Sequence, residues 1–189
     1  AMESALTPST RLLLLCHPHN PVGRAWLPSE LAELAAFCKK HELIVCSDEI
    51  HCDLILDAEC RHVPLASLDA EIARRSITLM APSKTFNIPG LACAFAVIPD
   101  ASLRRRFTSA ARGIVPDVNV LGYVAAEAAF RDGAEWHDTL IDVLRRNRDR
   151  VEAAVDAMPG LDMTHVEATY LAWIDARGQA FGRSDEDGY

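Results

Sequence analysis

Short apolar runs alternate with amphipathic stretches through the first half of the chain. Arg11–Cys16 carries four consecutive leucines and reads as a buried strand, followed by a turn rich in His, Pro, Asn and Gly at His17–Arg24. Over Pro28–His41 the apolar residues Leu31, Leu34, Ala35 and Cys38 fall at i, i+3, i+4 and i+7, which predicts a helix with Pro28 in its first turn. Leu27 stands where a Ser, Thr or Asp cap is preferred, so that helix starts without a good N-cap. Leu43–Cys46 reads as a second strand with Ser47-Asp48-Glu49 at its C-terminal end. Leu68–Arg75 reads as a short helix, Ile77–Ala81 as a third strand, Pro82–Gly90 as a loop, and Ala92–Ile98 as a fourth strand ended by Pro99. Strands continuous in apolar residues and separated by helices predict an α/β fold with a parallel sheet covered on both faces.

From residue 100 the pattern turns helical. Asp117–Phe130 and Ala134–Met158 carry apolar stripes, and the second is long enough to link two domains before Pro159-Gly160 stops it. Leu161–Val166 and Thr169–Asp175 read as strands, and Gly178–Tyr189 as a polar tail. The division expected is therefore 1–132 and 133–189. Arg104-Arg105-Arg106 would point in different directions on a helix and reads as a solvated face. Trp136 reads as a core or interface residue.

Composition narrows the class. A chain of 189 residues, half of them apolar and 24% charged, is that of an ordinary globular protein. A net charge of −8 argues against nucleic acid or an anionic membrane surface as partner. No apolar run approaches the roughly 18 residues of a membrane span, and His17-Pro18 interrupts the one run that imitates a signal peptide. Met2 reads as a start residue preceded by one added alanine. The six cysteines form no C-x-x-C pair or zinc spacing, so no metal is expected and a reducing, cytoplasmic location is.

Ligands of doubly wound sheets bind beyond the carboxyl ends of parallel strands. Three such ends carry His19-Asn20-Pro21-Val22-Gly23, Asp48-Glu49-Ile50-His51 and Ser83-Lys84-Thr85, which gathers an amide, an acid and an amine at one rim. Only three of the 19 basic residues are lysines, and Lys39-Lys40 end a surface helix. Lys84 alone lies in a loop among small and apolar residues, where desolvation makes a lysine a better nucleophile or base. Glu49 would face away from Asp48 toward a structural partner. The pair His17 and His19 reads as turn polarity rather than a metal site.

His19-Asn20-Pro21-Val22-Gly23-Arg24, Ser47-Asp48-Glu49-Ile50-His51 and Ser83-Lys84-Thr85-Phe86-Asn87-Ile88-Pro89-Gly90-Leu91, in that order, resemble the class I/II aminotransferases, which are pyridoxal-phosphate (PLP) enzymes of fold type I. The wording is most similar to their cystathionine β-lyase (C–S lyase) branch. The resemblance implies part of a PLP-binding large domain over 1–132, then a linking helix and the start of a small α+β domain over 133–189. It implies that Lys84 bonds to the cofactor aldehyde and shuttles the Cα proton of an amino-acid substrate. It implies that Asp48 pairs with the pyridinium nitrogen, that Asn20 bonds the phenolic oxygen, and that His51 lies near that oxygen where many relatives have Tyr. Ser83 and Thr85 would contact the phosphate.

Departures from the family pattern carry their own expectations. Ala92 stands where the family often has a basic residue for the phosphate, and His17 where Asn is common. The glycine-containing phosphate loop, the ring-stacking aromatic and the substrate-clamping arginine of longer family chains are not found. A sheet short of its neighbours leaves apolar faces and edges, which predicts a homo-oligomer with an extensive apolar interface. Two functions follow from the resemblance: a PLP-dependent lyase or aminotransferase, and a catalytically incomplete relative that only binds or interacts.

Overall fold

In the computed structural model, which describes residues 2–179, the leucine run forms β1 (Leu12–Cys16) and pairs in parallel with β2 (Ile44–Asp48). β2 pairs in parallel with β3 (Ser76–Met80), and β4 (Phe95–Val97) closes the sheet antiparallel to β3, in the order β1-β2-β3-β4. A four-residue helix, α1 (Met2–Ala5), precedes the sheet and was not expected from the sequence.

Two helices pack on one face of the sheet. α2 (Pro28–Lys40) buries Leu31, Leu34, Ala35 and Cys38, the four positions its periodicity marked, and they meet Leu15, Val45, Leu65 and Ile72 in the main core. In place of a capping side chain at Leu27, Glu30 reaches back and accepts from the Leu27 N–H at 2.9 Å. α3 (Ala70–Arg74) is capped by Asp69, whose carboxylate accepts from the N–H groups of Glu71 and Ile72.

The remaining helices are α4 (Ala101–Ala111), α5 (Val120–Asp132) and α6 (Ala134–Asp156), with side-chain caps from Asp100 and Asn119 on the first two. A second core joins Ile141 of α6 to Leu54, Leu56 and Val166. Two short strands, β5 (Asp162–Met163) and β6 (Ile174–Asp175), pair antiparallel.

Several expectations are corrected. The fourth strand is shorter than Ala92–Ile98, because Ala92 takes a left-handed conformation (φ 50°) and ends a 3₁₀ turn over Pro89–Leu91. It runs antiparallel to β3, which leaves the sheet mostly parallel, as a large domain of fold type I implies. Among the described residues the sheet is not covered on both faces: Leu12 and Leu14, opposite the α2 side, are 49% and 73% exposed. The strands expected at Leu161–Val166 and Thr169–Asp175 shrink to two residues each, because the chain between them hydrogen-bonds to loops of the main sheet instead. Arg104, Arg105 and Arg106 are all exposed, as a solvated face requires, and Arg104 also donates to the Ile98 carbonyl at 2.6 Å. Most of the polar tail expected from Gly178 lies outside the described residues.

Candidate active site

The parallel register places Cys16, Asp48 and Leu79 side by side at the carboxyl ends of β1, β2 and β3. Pairing continues one residue further: His17 N–H donates to the Asp48 carbonyl at 2.9 Å, and Glu49 N–H to the Leu79 carbonyl at 3.0 Å. The three segments that follow therefore leave from one level of the sheet.

After β1 the chain makes a tight turn closed by His19 N–H to the Arg24 carbonyl and Gly23 N–H to the His19 carbonyl, each at 2.8 Å. The peptide bonds before Pro18 and Pro21 are both cis. Asn20 is exposed on this turn, and its N–H reaches Cys16 Sγ at 3.3 Å. After β3, Ser83 and Lys84 are half-buried in a turn closed by Phe86 N–H to the Pro82 carbonyl and Ile88 N–H to the Ser83 carbonyl. Thr85 is 1% exposed and its hydroxyl donates to Asp53 at 3.2 Å. That bond ties the lysine loop to the segment after β2, so Thr85 holds the loop in place rather than offering its hydroxyl to a phosphate.

His51 is the informative residue. It is 2% exposed, and among the described residues neither Nδ1 nor Nε2 has a hydrogen-bond partner. Burial pushes its pKa below the ordinary imidazole value, the positive charge of Lys84 pushes the same way, and the Asp48 carboxylate opposes them. A single imidazole thus lies within electrostatic reach of both the acid and the amine. Among the described residues, Asp48 Oδ1 accepts from the Ile50 N–H at 3.3 Å and no hydrogen bond or ion pair engages Lys84 Nζ. Two orphaned buried nitrogens within electrostatic reach of a carboxylate and an amine suit a polar ligand.

Behind the rim the polar side chains are satisfied. Glu49, fully buried, accepts from Ser47 Oγ at 2.8 Å, from Leu65 N–H at 3.2 Å and from His62 Nε2 at 2.7 Å. It points away from the Asp48 side, as expected of a structural acid. The His62 ring lies 4.4 Å from that of His17, which is fully buried and donates from Nε2 to the Val63 carbonyl. Burial, and secondarily His62, lowers the His17 pKa to about 4.

One part of the rim was not legible as such in the sequence. Residues 166–170 pass between the turn after β1 and the segment after β2. Ala168 N–H donates to the Gly23 carbonyl, Thr169 N–H to the Leu54 carbonyl and Leu56 N–H to the Glu167 carbonyl, each at 2.8 Å. Glu167 also accepts from the Ala25 N–H at 2.8 Å. This strap brings the Tyr170 ring to 5.6 Å from His51, with the two planes crossing at 69°. The strap starts at His165, whose two ring nitrogens face Glu152 and Asp57 at 3.0–3.1 Å, and Arg148 joins Asp57 at 2.5 Å.

The sequence model for aminotransferase class I and II matches residues 1–186. The chain is 41% identical over 189 residues to the cystathionine β-lyase PatB of Bacillus subtilis (strain 168), covering 98% of this chain and 48% of that protein. A crystal structure of OvoB superposes with a TM-score of 0.91 at 52% identity, over 93% of this chain and 46% of that one. Cystalysin from Treponema denticola, whose crystal structure contains pyridoxal 5'-phosphate, superposes with a TM-score of 0.83 at 37% identity, over 87% of this chain and 42% of that one. The chain thus spans about half the length of the relatives it matches.

Proposed function

The chain belongs to the aminotransferase class I and II family, and from that premise we propose that its strand-end rim is a pyridoxal 5'-phosphate site acting on amino acids in the manner of a carbon–sulfur lyase. The observation that carries this reading is His51, buried with both nitrogens unpartnered and within electrostatic reach of Lys84 and Asp48. The likeness to a cystathionine β-lyase supports the lyase branch.

The bound cofactor supplies an electron sink for the charge left at a substrate carbon when a proton or a β-substituent departs. The chain's residues divide the other tasks. Lys84 Nζ would hold the cofactor, and its amine would take the Cα proton of a bound amino acid. The Asp48 carboxylate pairs with the ring nitrogen and keeps it protonated. Asn20, from the turn after β1, and His51 serve the phenolic oxygen, and Ser83 serves the phosphate. Thr85 and Asp53 hold the lysine loop against the segment that bears His51. Ala92, exposed and left-handed, brings no charge to the phosphate.

We further infer that residues 1–132 act as the cofactor-bearing unit and 133–189 as a linking helix with part of a second unit, in a reducing cytoplasm that suits six free cysteines. Among the described residues no helix is long and apolar enough to cross a membrane. Self-association is inferred from the exposed apolar residues Leu14, Ile114 and Val120, at 73%, 81% and 72%. A monodisperse monomer in sedimentation at micromolar concentration would contradict it.

The test is cofactor titration followed by product analysis. The protein turns yellow with PLP, and pyruvate forms from an S-substituted cysteine without added keto acid. Product only when a keto acid is added assigns transamination instead. A colourless protein that takes up no PLP assigns the chain a binding role without catalysis.

A further inference from the structure

His51 presents an unusual mechanical problem. A buried imidazole is ordinarily oriented by hydrogen bonds at its nitrogens, and His51 has none. Its ring can turn about its side-chain bonds unless packing holds it. The aromatic contact that bears on it comes from Tyr170, at 5.6 Å and 69°, in the crossed geometry that aromatic pairs prefer.

Tyr170 is placed there by backbone, independently of His51. Thr169, just before it, is fully buried in a left-handed conformation (φ 71°) and donates its N–H to Leu54. Its hydroxyl accepts from the Leu171 N–H at 3.3 Å, so both neighbours of Tyr170 are held. Ala168 is bonded to Gly23 and bridges with Ile55. A left-handed threonine is costly, and here it turns the chain so that the next side chain meets the rim.

We propose that Tyr170 is a positioning residue: its ring fixes the plane of the His51 imidazole so that one nitrogen faces the site between Asp48 and Lys84. The proposal rests on the cofactor reading above. The ring supplies the effect and the hydroxyl does not, so phenylalanine serves equally well.

Carbon–proton spectra of the histidine rings test this in the cofactor-free chain, with the His51 signal assigned through His51→Gln. Tyr170→Leu shifts the His51 ring signals and alters their titration, and Tyr170→Phe restores both. With PLP added, Tyr170→Leu weakens uptake about three- to tenfold and Tyr170→Phe leaves it unchanged. In the unsubstituted chain, cross-relaxation between the Tyr170 and His51 ring protons reads the contact directly, whatever the folding of the leucine variant. Unmoved His51 signals in Tyr170→Leu, absent cross-relaxation, or a phenylalanine variant that behaves like leucine each overturn the proposal. Wild-type His51 signals that ignore added PLP remove the cofactor reading, and with it the role of Tyr170, even where the ring contact is confirmed.

Discussion

Gly23 approaches Val166 so closely that a Cβ built on the glycine would lie 2.8 Å from Val166 Cγ1 and 3.1 Å from the Ala168 carbonyl oxygen. Its φ of +78° is itself left-handed. Both constraints arise because the strap crosses the turn that carries Asn20. Gly23→Ala is expected to destabilise the protein by about 2 kcal/mol or more, through strain and displacement of the strap. Gly90→Ala, where a Cβ meets nothing within 4 Å, serves as the near-neutral control. Urea midpoints of the two variants check the difference.

Glu49 is a buried carboxylate whose three donors have no other acceptor in view. Glu49→Leu strands a hydroxyl, a backbone N–H and the His62 ring, and is expected to cost about 3–5 kcal/mol. Calorimetric melting reads this loss. A variant that melts with the parent would mean that water replaces the carboxylate.

Acid should weaken the fold through His17. Its native pKa of about 4 lies below the ordinary 6.5, so the unfolded chain takes a proton that the folded chain refuses. The stability involved is intact above about pH 6.5 and is lost as pH falls toward 4, by up to about 3 kcal/mol. His17→Asn is expected to flatten this acid limb in urea titrations run between pH 4 and 7.

Alkali should act oppositely through His165. Its two nitrogens both face carboxylates, so both must carry protons to donate, and the Asp57 bond first and then the Glu152 bond raise its pKa against burial. The stability is present below the ordinary 6.5 and is lost as pH rises through the elevated native value. The ring is half exposed, so the effect is small. His165→Gln should abolish the pH dependence of the strap amides' protection factors, taken relative to intrinsic exchange, between pH 6 and 9.

The elements with local periodicity were legible in the sequence. α2 buries the four residues its spacing marked, and β1, β2 and β3 fall within a residue or two of the apolar runs. The direction of β4 was not legible, because an apolar run records burial and not strand polarity. Asp48, His51 and Lys84 could be picked out because they follow strand ends, where parallel sheets gather their ligands. Tyr170 could not: its segment bonds to residues more than a hundred positions earlier, such as Leu54 and Ala25. No local pattern records such partners.

Covalent trapping reads whether Lys84, Asp48 and His51 gather around one PLP ring. The chain is incubated with PLP, reduced with borohydride, digested and mapped by mass spectrometry. The expected result is loss of the yellow colour and one reduced PLP adduct, carried by Lys84 and absent from Lys84→Ala. An adduct spread over Lys39 and Lys40, or none at Lys84 at saturating cofactor, would contradict it.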